Sequence, residues 1–238
     1  MSARHDIGET RGWMRDGERF AAATVRQIPD ADLFGPSLLP GWSRAHVIGH
    51  LARNAEALAR LAAWARTGVE TPMYRDREQR AAEIQAASAL PAGVLRGDLD
   101  RTANDLERAL DALDSQSWHA RVRSALGRTI PAAEIPWMRV REVWLHAVDL
   151  DARAHLADLP AEVVDALLDD VTATLSARDG CPAVRLEPTD RDQRWQLGPG
   201  DSVAARSTAA GLLGWLTGRD RHVRITPDGD LPVLPRWL

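Results

Sequence analysis

Lysine is absent from this chain of 238 residues; all thirty basic residues are arginine, which reads as the codon bias of a GC-rich genome. Cysteine is almost absent too. The single Cys181 excludes an intramolecular disulfide framework and any cysteine-rich zinc site. No stretch approaches the eighteen or so consecutive apolar residues of a membrane span. Met1 to Asp6 carries no apolar run of a signal peptide, so a soluble, cytoplasmic protein is expected. The net charge of −4 gives no basic footprint for nucleic acid. Tyrosine and phenylalanine are scarce beside nine tryptophans, and no functional reading follows from that. What remains is ordinary globular composition, with 45% hydrophobic residues and thus enough material for a sizeable core.

The first two-thirds of the chain reads as helical. Ile7, Met14, Ala21, Val25 and Ile28 recur at spacings of seven, four and three, one face of a helix. After a loop from Pro29 to Pro40, Ser43 is a good N-cap for a long helix to about Arg66, with Gly68 just past its end. A charged helix is expected near Arg77 to Ala89. Another opens at Pro91 with the stripe Leu95, Leu99, Thr102, Leu106, Leu110 and Leu113. A polar stretch from Arg121 to Thr129 precedes a helix expected to start near Pro131 and end around Ala157. Four long amphipathic helices of this kind make a four-helix bundle, where metal sites are commonly built from inward-facing side chains. Beyond Leu159-Pro160 the texture changes to one amphipathic helix (Val163 to Ala177), short alternating runs at Val184/Leu186, Trp195/Leu197 and Ser202 to Arg206, a helix at Thr208 to Thr217, and a last strand at His222 to Thr226. The expected organisation is mainly α: residues 1–157 as the bundle and 158–238 as a small α+β domain.

Two places concentrate metal-capable side chains: His46-x-x-x-His50 on the second helix and Glu142-x-x-x-His146 on the fifth. Spacing of four stacks two side chains on one helix face, and imidazole plus carboxylate suits zinc. On the fifth helix Arg139, Glu142, His146 and Asp149 share a face that is either solvent-exposed or a polar pocket inside the bundle; periodicity does not separate the two. His50 falls at the margin of the apolar stripe, where it needs a partner, either a hydrogen bond or a metal. His46 points further round, beside Arg53 and Arg60, and is the poorer ligand. Asp149 is either an acceptor orienting His146 or a surface carboxylate. Arg80 and Arg139 are arginines that an anion could meet, and Cys181 reads as an incidental small residue.

Several runs resemble the mycothiol-dependent maleylpyruvate isomerases: Leu38-Leu-Pro-Gly-Trp-Ser-Arg-Ala-His46-Val-Ile-Gly-His50-Leu-Ala-Arg-Asn54, Thr71-Pro-Met-Tyr74, Gly127-Arg-Thr129, Trp137-Met-Arg-Val-Arg-Glu142-Val-Trp-Leu-His146-Ala-Val-Asp-Leu150 and Pro235-Arg-Trp-Leu238. The resemblance runs nearly end to end. It implies a DinB-like four-helix bundle with a C-terminal α+β domain, and one zinc ion per chain on His50, Glu142 and His146. It also implies a catalytic arginine at Arg219 that would clamp a carboxylate or enolate oxygen, although Asp220-Arg-His-Val223 departs from the small and acidic residues expected there. The implied reaction converts maleylpyruvate to fumarylpyruvate in gentisate degradation: a thiolate adds to the conjugated double bond, the resulting single bond rotates, and the thiolate leaves. The thiol would come from mycothiol. Partners are then the small-molecule substrate and this thiol, with no nucleic acid or membrane, and the chain is expected to be a monomer. The alternatives are a mycothiol-dependent S-transferase acting on electrophiles and a non-catalytic zinc- or thiol-binding sensor.

Overall fold

A computed structural model of the chain describes residues 6–200, 203–219, 226–227 and 231–237. It divides into two compact units, Met1–Ala154 and His155–Leu238.

In the first unit α1 (Ile7–Gln27) starts where the Asp6 carboxylate accepts from the Glu9 backbone N–H at 3.0 Å. Its buried stripe of Met14, Ala21 and Val25 is the one the spacing predicts. α2 (Arg44–Thr67) starts at a capping box between Ser43 and His46 and stops at Gly68, whose φ of 74° is left-handed. It is the central helix, with buried residues around most of its circumference, and it packs against α3 (Arg77–Ser88), α4 (Ala92–Asp111) and α5 (Ile135–Asp149). The fit of α2 to α3 depends on Gly49, where a Cβ would come within 2.8 Å of the Ala87 Cβ. α4 buries Leu95, Leu99, Thr102, Leu106 and Leu110 as its stripe predicts. α1 and α5 approach closely at Gly17, where a Cβ would meet Val143 and the Trp144 ring; Trp144 also donates to the Trp13 carbonyl at 3.0 Å.

Two details differ from the sequence reading. The polar stretch before α5 is a hairpin, β1 (Arg121–Arg123) antiparallel to β2 (Thr129–Pro131), turning at Gly127 with φ 78°. Each strand has three residues, with Val122 buried in β1 and Ile130 and Pro131 in β2, too little for a period-two pattern to stand out. The fifth helix is shorter than its apolar pattern at both ends. A 3-10 turn at Ala132–Glu134 leads into it, and it ends at Asp149. Asp151 and Arg153 then take left-handed φ values of 52° and 62°. Arg44 holds that ending by donating to the carbonyls of Leu150 (2.7 Å) and Asp151 (3.1 Å).

The second unit comprises α6 (Ala161–Ser176), β3 (Val184–Pro188), β4 (Trp195–Leu197), β5 (Val203–Ser207), α7 (Ala209–Thr217) and β6 (Thr226–Pro227). The sheet order is β4-β3-β5-β6, with β3 and β5 parallel and the outer pairs antiparallel. Leu167, Val171, Val184, Leu186, Leu197, Ala204, Leu212 and Leu213 form its core. Of the strand expected at His222 to Thr226, residues 222–225 lie outside the described residues. The architecture is mainly α, a four-helix bundle followed by a small α+β unit.

Candidate metal centre

α2 and α5 pack side by side, and each sends polar side chains into their shared interior. His50 comes from α2 and is 3% exposed. Glu142 and His146 come from successive turns of α5, stacked by their spacing of four. One carboxylate oxygen, Glu142 Oε2, lies 2.8 Å from His50 Nε2 and 3.2 Å from His146 Nε2. The two imidazole rings meet edge to face at 4.8 Å between centroids. One ligand atom from each residue lies within 4.8 Å of the others, and among the described residues this is the group of three or more His, Cys, Asp or Glu side chains so arranged.

Behind His146, the buried carboxylate of Asp149 sits 2.8 Å from Nδ1. This contact fixes the Nδ1–H tautomer and directs the Nε2 lone pair inward, as a metal-binding histidine requires. On the other side, the Arg80 guanidinium approaches His50 Nδ1 at 3.3 Å. Arginine only donates, so Nδ1 accepts here and the His50 proton sits on Nε2, facing Glu142. Burial depresses the His50 pKa against the pull of Glu142 and favours the neutral ring. Burial acts the same way on His146, but hydrogen bonds to Asp149 and Glu142 outweigh it and raise that pKa. For Glu142 burial opposes ionisation, yet the two histidines hold the carboxyl well below its ordinary range.

The other residues singled out from sequence have definite places. His46 is the N3 partner of Ser43 in the capping box of α2: its Nδ1 accepts from the Ser43 backbone N–H at 3.2 Å and lies 2.7 Å from the Ser43 hydroxyl, while Nε2 faces Gln85 at 3.2 Å. It is not part of the triad. Arg139 is fully buried and engaged inside the bundle, with two nitrogens on Glu18 (2.7 and 3.2 Å) and one on the Leu51 carbonyl (2.7 Å) and Asn54 (2.9 Å). It ties α1, α2 and α5 together, with four of its five N–H donors engaged and its charge met by Glu18. Arg219, in the second unit, follows the left-handed Gly218 that ends α7; its Nη1 donates to the Thr217 carbonyl at 3.4 Å. Cys181 is half-buried in that unit, and burial pushes its thiol pKa up.

Two residues near the site carry no chemistry in the sequence reading beyond belonging to a motif. The Trp42 ring stands edge to face with His50 at 5.5 Å. The Tyr74 ring has two guanidiniums near it, Arg60 at 5.8 Å and Arg80 at 5.9 Å from its centroid. Nothing short of the folded interior shows that residues 74 and 80 reach the triad.

Fold and site together define a four-helix-bundle protein with an interior His/Glu/His constellation. The chain matches the mycothiol maleylpyruvate isomerase N-terminal domain over residues 14–151 and the corresponding C-terminal domain over 158–236. A crystal structure of the mycothiol-dependent maleylpyruvate isomerase is 34% identical, covers 100% of both chains and superposes with a TM-score of 0.92. A histidine-to-alanine variant of that enzyme gives the same figures. YfiT from Bacillus subtilis, described as a probable metal-dependent hydrolase with an unusual four-helix bundle topology, shares the fold alone (TM-score 0.53, 16% identity, 63% of this chain and 87% of that one). No curated protein gives a significant match. The chain belongs to the mycothiol-dependent maleylpyruvate isomerase family, a family of enzymes.

Proposed function

We propose that the protein is a cis–trans isomerase converting maleylpyruvate to fumarylpyruvate in gentisate degradation, with mycothiol as its thiol and one zinc ion on His50, Glu142 and His146. The observation that carries this is the convergence of those three side chains in a chain alike, over its whole length, to a crystallised isomerase of that activity. The donor set fits zinc: two imidazole nitrogens and a carboxylate oxygen face one another, and Asp149 presets the tautomer of His146. His50 fits once its proton moves from Nε2 to Nδ1. When bound, zinc and mycothiol supply a thiolate at neutral pH for addition to the conjugated double bond.

The chain's own residues would then hold and orient. His50, Glu142 and His146 are the metal ligands, with residues 1–157 as the metal-binding bundle and 158–238 as a separate C-terminal domain. Arg219 would clamp a carboxylate or enolate oxygen of the substrate with its planar fork. We read Cys181 as an incidental residue; burial pushes its thiol pKa up, away from the thiolate. We assign the protein to the cytoplasm as a monomer.

The test is turnover of maleylpyruvate by zinc-loaded protein with and without mycothiol, in wild type and Cys181→Ala. Fumarylpyruvate formed only with the added thiol, and equally by the variant, is the expected result. A stable thioether product makes the enzyme an S-transferase instead, and turnover lost in Cys181→Ala with zinc intact gives the nucleophile to the protein.

A further inference from the structure

A cavity of about 280 Å³ within the first unit is lined by Arg80, the residue that contacts His50, and the metal centre does not explain its function. Its walls come from the loop after α2 and the start of α3, with Glu70, Tyr74, Arg75 and Arg80, and from the β1–β2 turn, with Arg123 and Gly127. The runs at 71–74 and 127–129, far apart in sequence, meet here. The lining is unbalanced in charge. Arg75 pairs with Asp76 at 2.8 Å and Arg123 with Glu70 at 3.5 Å. Arg77 and Arg80 also line the cavity, and neither has an ion-pair partner among the described residues. Arg77 is exposed, whereas Arg80 is half-buried and reaches from the cavity wall to His50.

Arg80 is held in place without being neutralised. Its guanidinium lies over the Tyr74 ring at 5.9 Å and donates to His50 Nδ1 at 3.3 Å. Arg60, also near that ring, is engaged with the Met73 carbonyl at 3.0 Å through Nε. The Tyr74 hydroxyl is buried, and its polar neighbour is the Arg80 guanidinium, which can donate to it but offers no acceptor. A half-buried cation without a counter-ion and a buried hydroxyl without an acceptor are costly in an empty cavity, and one carboxylate oxygen pair would satisfy both. The contact with His50 uses one N–H of the guanidinium and leaves others to face the cavity.

We propose that this cavity is an anion subsite in which Arg80, aided by the Tyr74 hydroxyl, receives a carboxylate of a small dicarboxylic acid. This rests on the proposed isomerase reading for the identity of the acid, maleylpyruvate, but not for the site itself. It sets the acid's end against the metal centre, with Arg80 as a binding residue shared by both.

The experiment is calorimetric titration of the zinc-loaded protein with maleate and with its uncharged diamide, in wild type, Arg80→Lys, Arg80→Gln and Tyr74→Phe. Zinc per chain is measured on each sample. Wild type is expected to bind maleate at least tenfold more tightly than the diamide. Arg80→Gln should weaken maleate by about tenfold to a hundredfold, the usual scale of a hydrogen bond to a charged group, with Arg80→Lys nearer tenfold because it keeps the charge but loses the fork. Zinc content stays at one per chain, and the KM for maleylpyruvate rises with the maleate dissociation constant while kcat changes less. Wild-type maleate affinity in Arg80→Gln places the anion on the metal or elsewhere and overturns the proposal. If Arg80→Gln loses zinc, the zinc-retaining Arg80→Lys and Tyr74→Phe decide, and unchanged affinity in both overturns it. Arg80-dependent maleate binding without any turnover of maleylpyruvate would sink the isomerase reading and leave the subsite. Turnover with an Arg80-independent KM and maleate affinity would do the reverse.

Discussion

His46 and His50 lie one turn apart on the same helix, and their replacement by alanine should have opposite consequences. His50 is 3% exposed, with Nε2 2.8 Å from Glu142, so His50→Ala removes one of three converging donors. Apparent zinc binding energies of about 10–16 kcal/mol in four-ligand structural sites put one ligand at roughly 3 kcal/mol. The expected loss of zinc affinity is then on the order of a hundredfold or more. His46→Ala removes the contacts to Ser43 and Gln85. At roughly 1 kcal/mol net per hydrogen bond the cost is about 1–2 kcal/mol. For a chain of this size that lowers Tm by about 2–8 °C with zinc retained. Competition with a coloured chelator gives the zinc affinity and a thermal melt gives the stability. A His46→Ala protein stripped of zinc beside a zinc-replete His50→Ala protein would refute the ligand assignment and the tautomer argument with it.

The other expectations concern the groups around the triad. Asp149→Asn should weaken zinc binding by about tenfold to a hundredfold, because the His146 imidazole loses its orienting carboxylate; equal chelator competition in variant and wild type would show that Asp149 plays no such part. Zinc uptake should release a proton near neutral pH, because the metal-free chain keeps His146 protonated to a higher pH than a free imidazole. Affinity should therefore rise with pH through the histidine range and level off above the raised His146 pKa, and an indicator in weak buffer that records no proton release counts against this sign. Arg219→Lys should lower turnover by about tenfold or more with zinc content and melting unchanged, since lysine keeps the charge and loses the bidentate fork. Wild-type kinetics for both Lys and Ala at this position would leave Arg219 as the residue that closes α7.

Much of this was legible in the sequence wherever the signal is local. The stripes of α1 and α4, the Ser43 cap and the Gly68 stop are read from residues within one or two turns of each other. The end of α5 is not local. It is fixed by Arg44, about a hundred residues earlier, gripping the carbonyls of Leu150 and Asp151, and no window along the chain contains both partners. The same distinction applies to the site. Ser43 is legible as a cap, but the part His46 plays in that capping box is seen only in the fold. The direction of the Glu142 face stays open in sequence, because a polar stripe looks alike towards water and towards a pocket. Arg139 settles it: it lies on that face and is fully buried, its charge met by Glu18 from α1.

That burial poses a question of charge which the triad answers. Arg139 and Glu18 cancel. Among His50, Glu142, His146 and Asp149 there remain two carboxylates against two imidazoles, of which burial favours the neutral form of His50 and the carboxylates favour the charged form of His146. These four side chains then sum to one negative charge, which the Arg80 guanidinium, 3.3 Å from His50 Nδ1, offsets. The metal-free interior is thus balanced by the proton on His146 and one neighbouring cation. A divalent cation that took the Nε2 lone pairs of both histidines and displaced the His146 proton would set two positive charges against the two carboxylates. Arg80 would then be the surplus positive charge, on the wall of the cavity it lines.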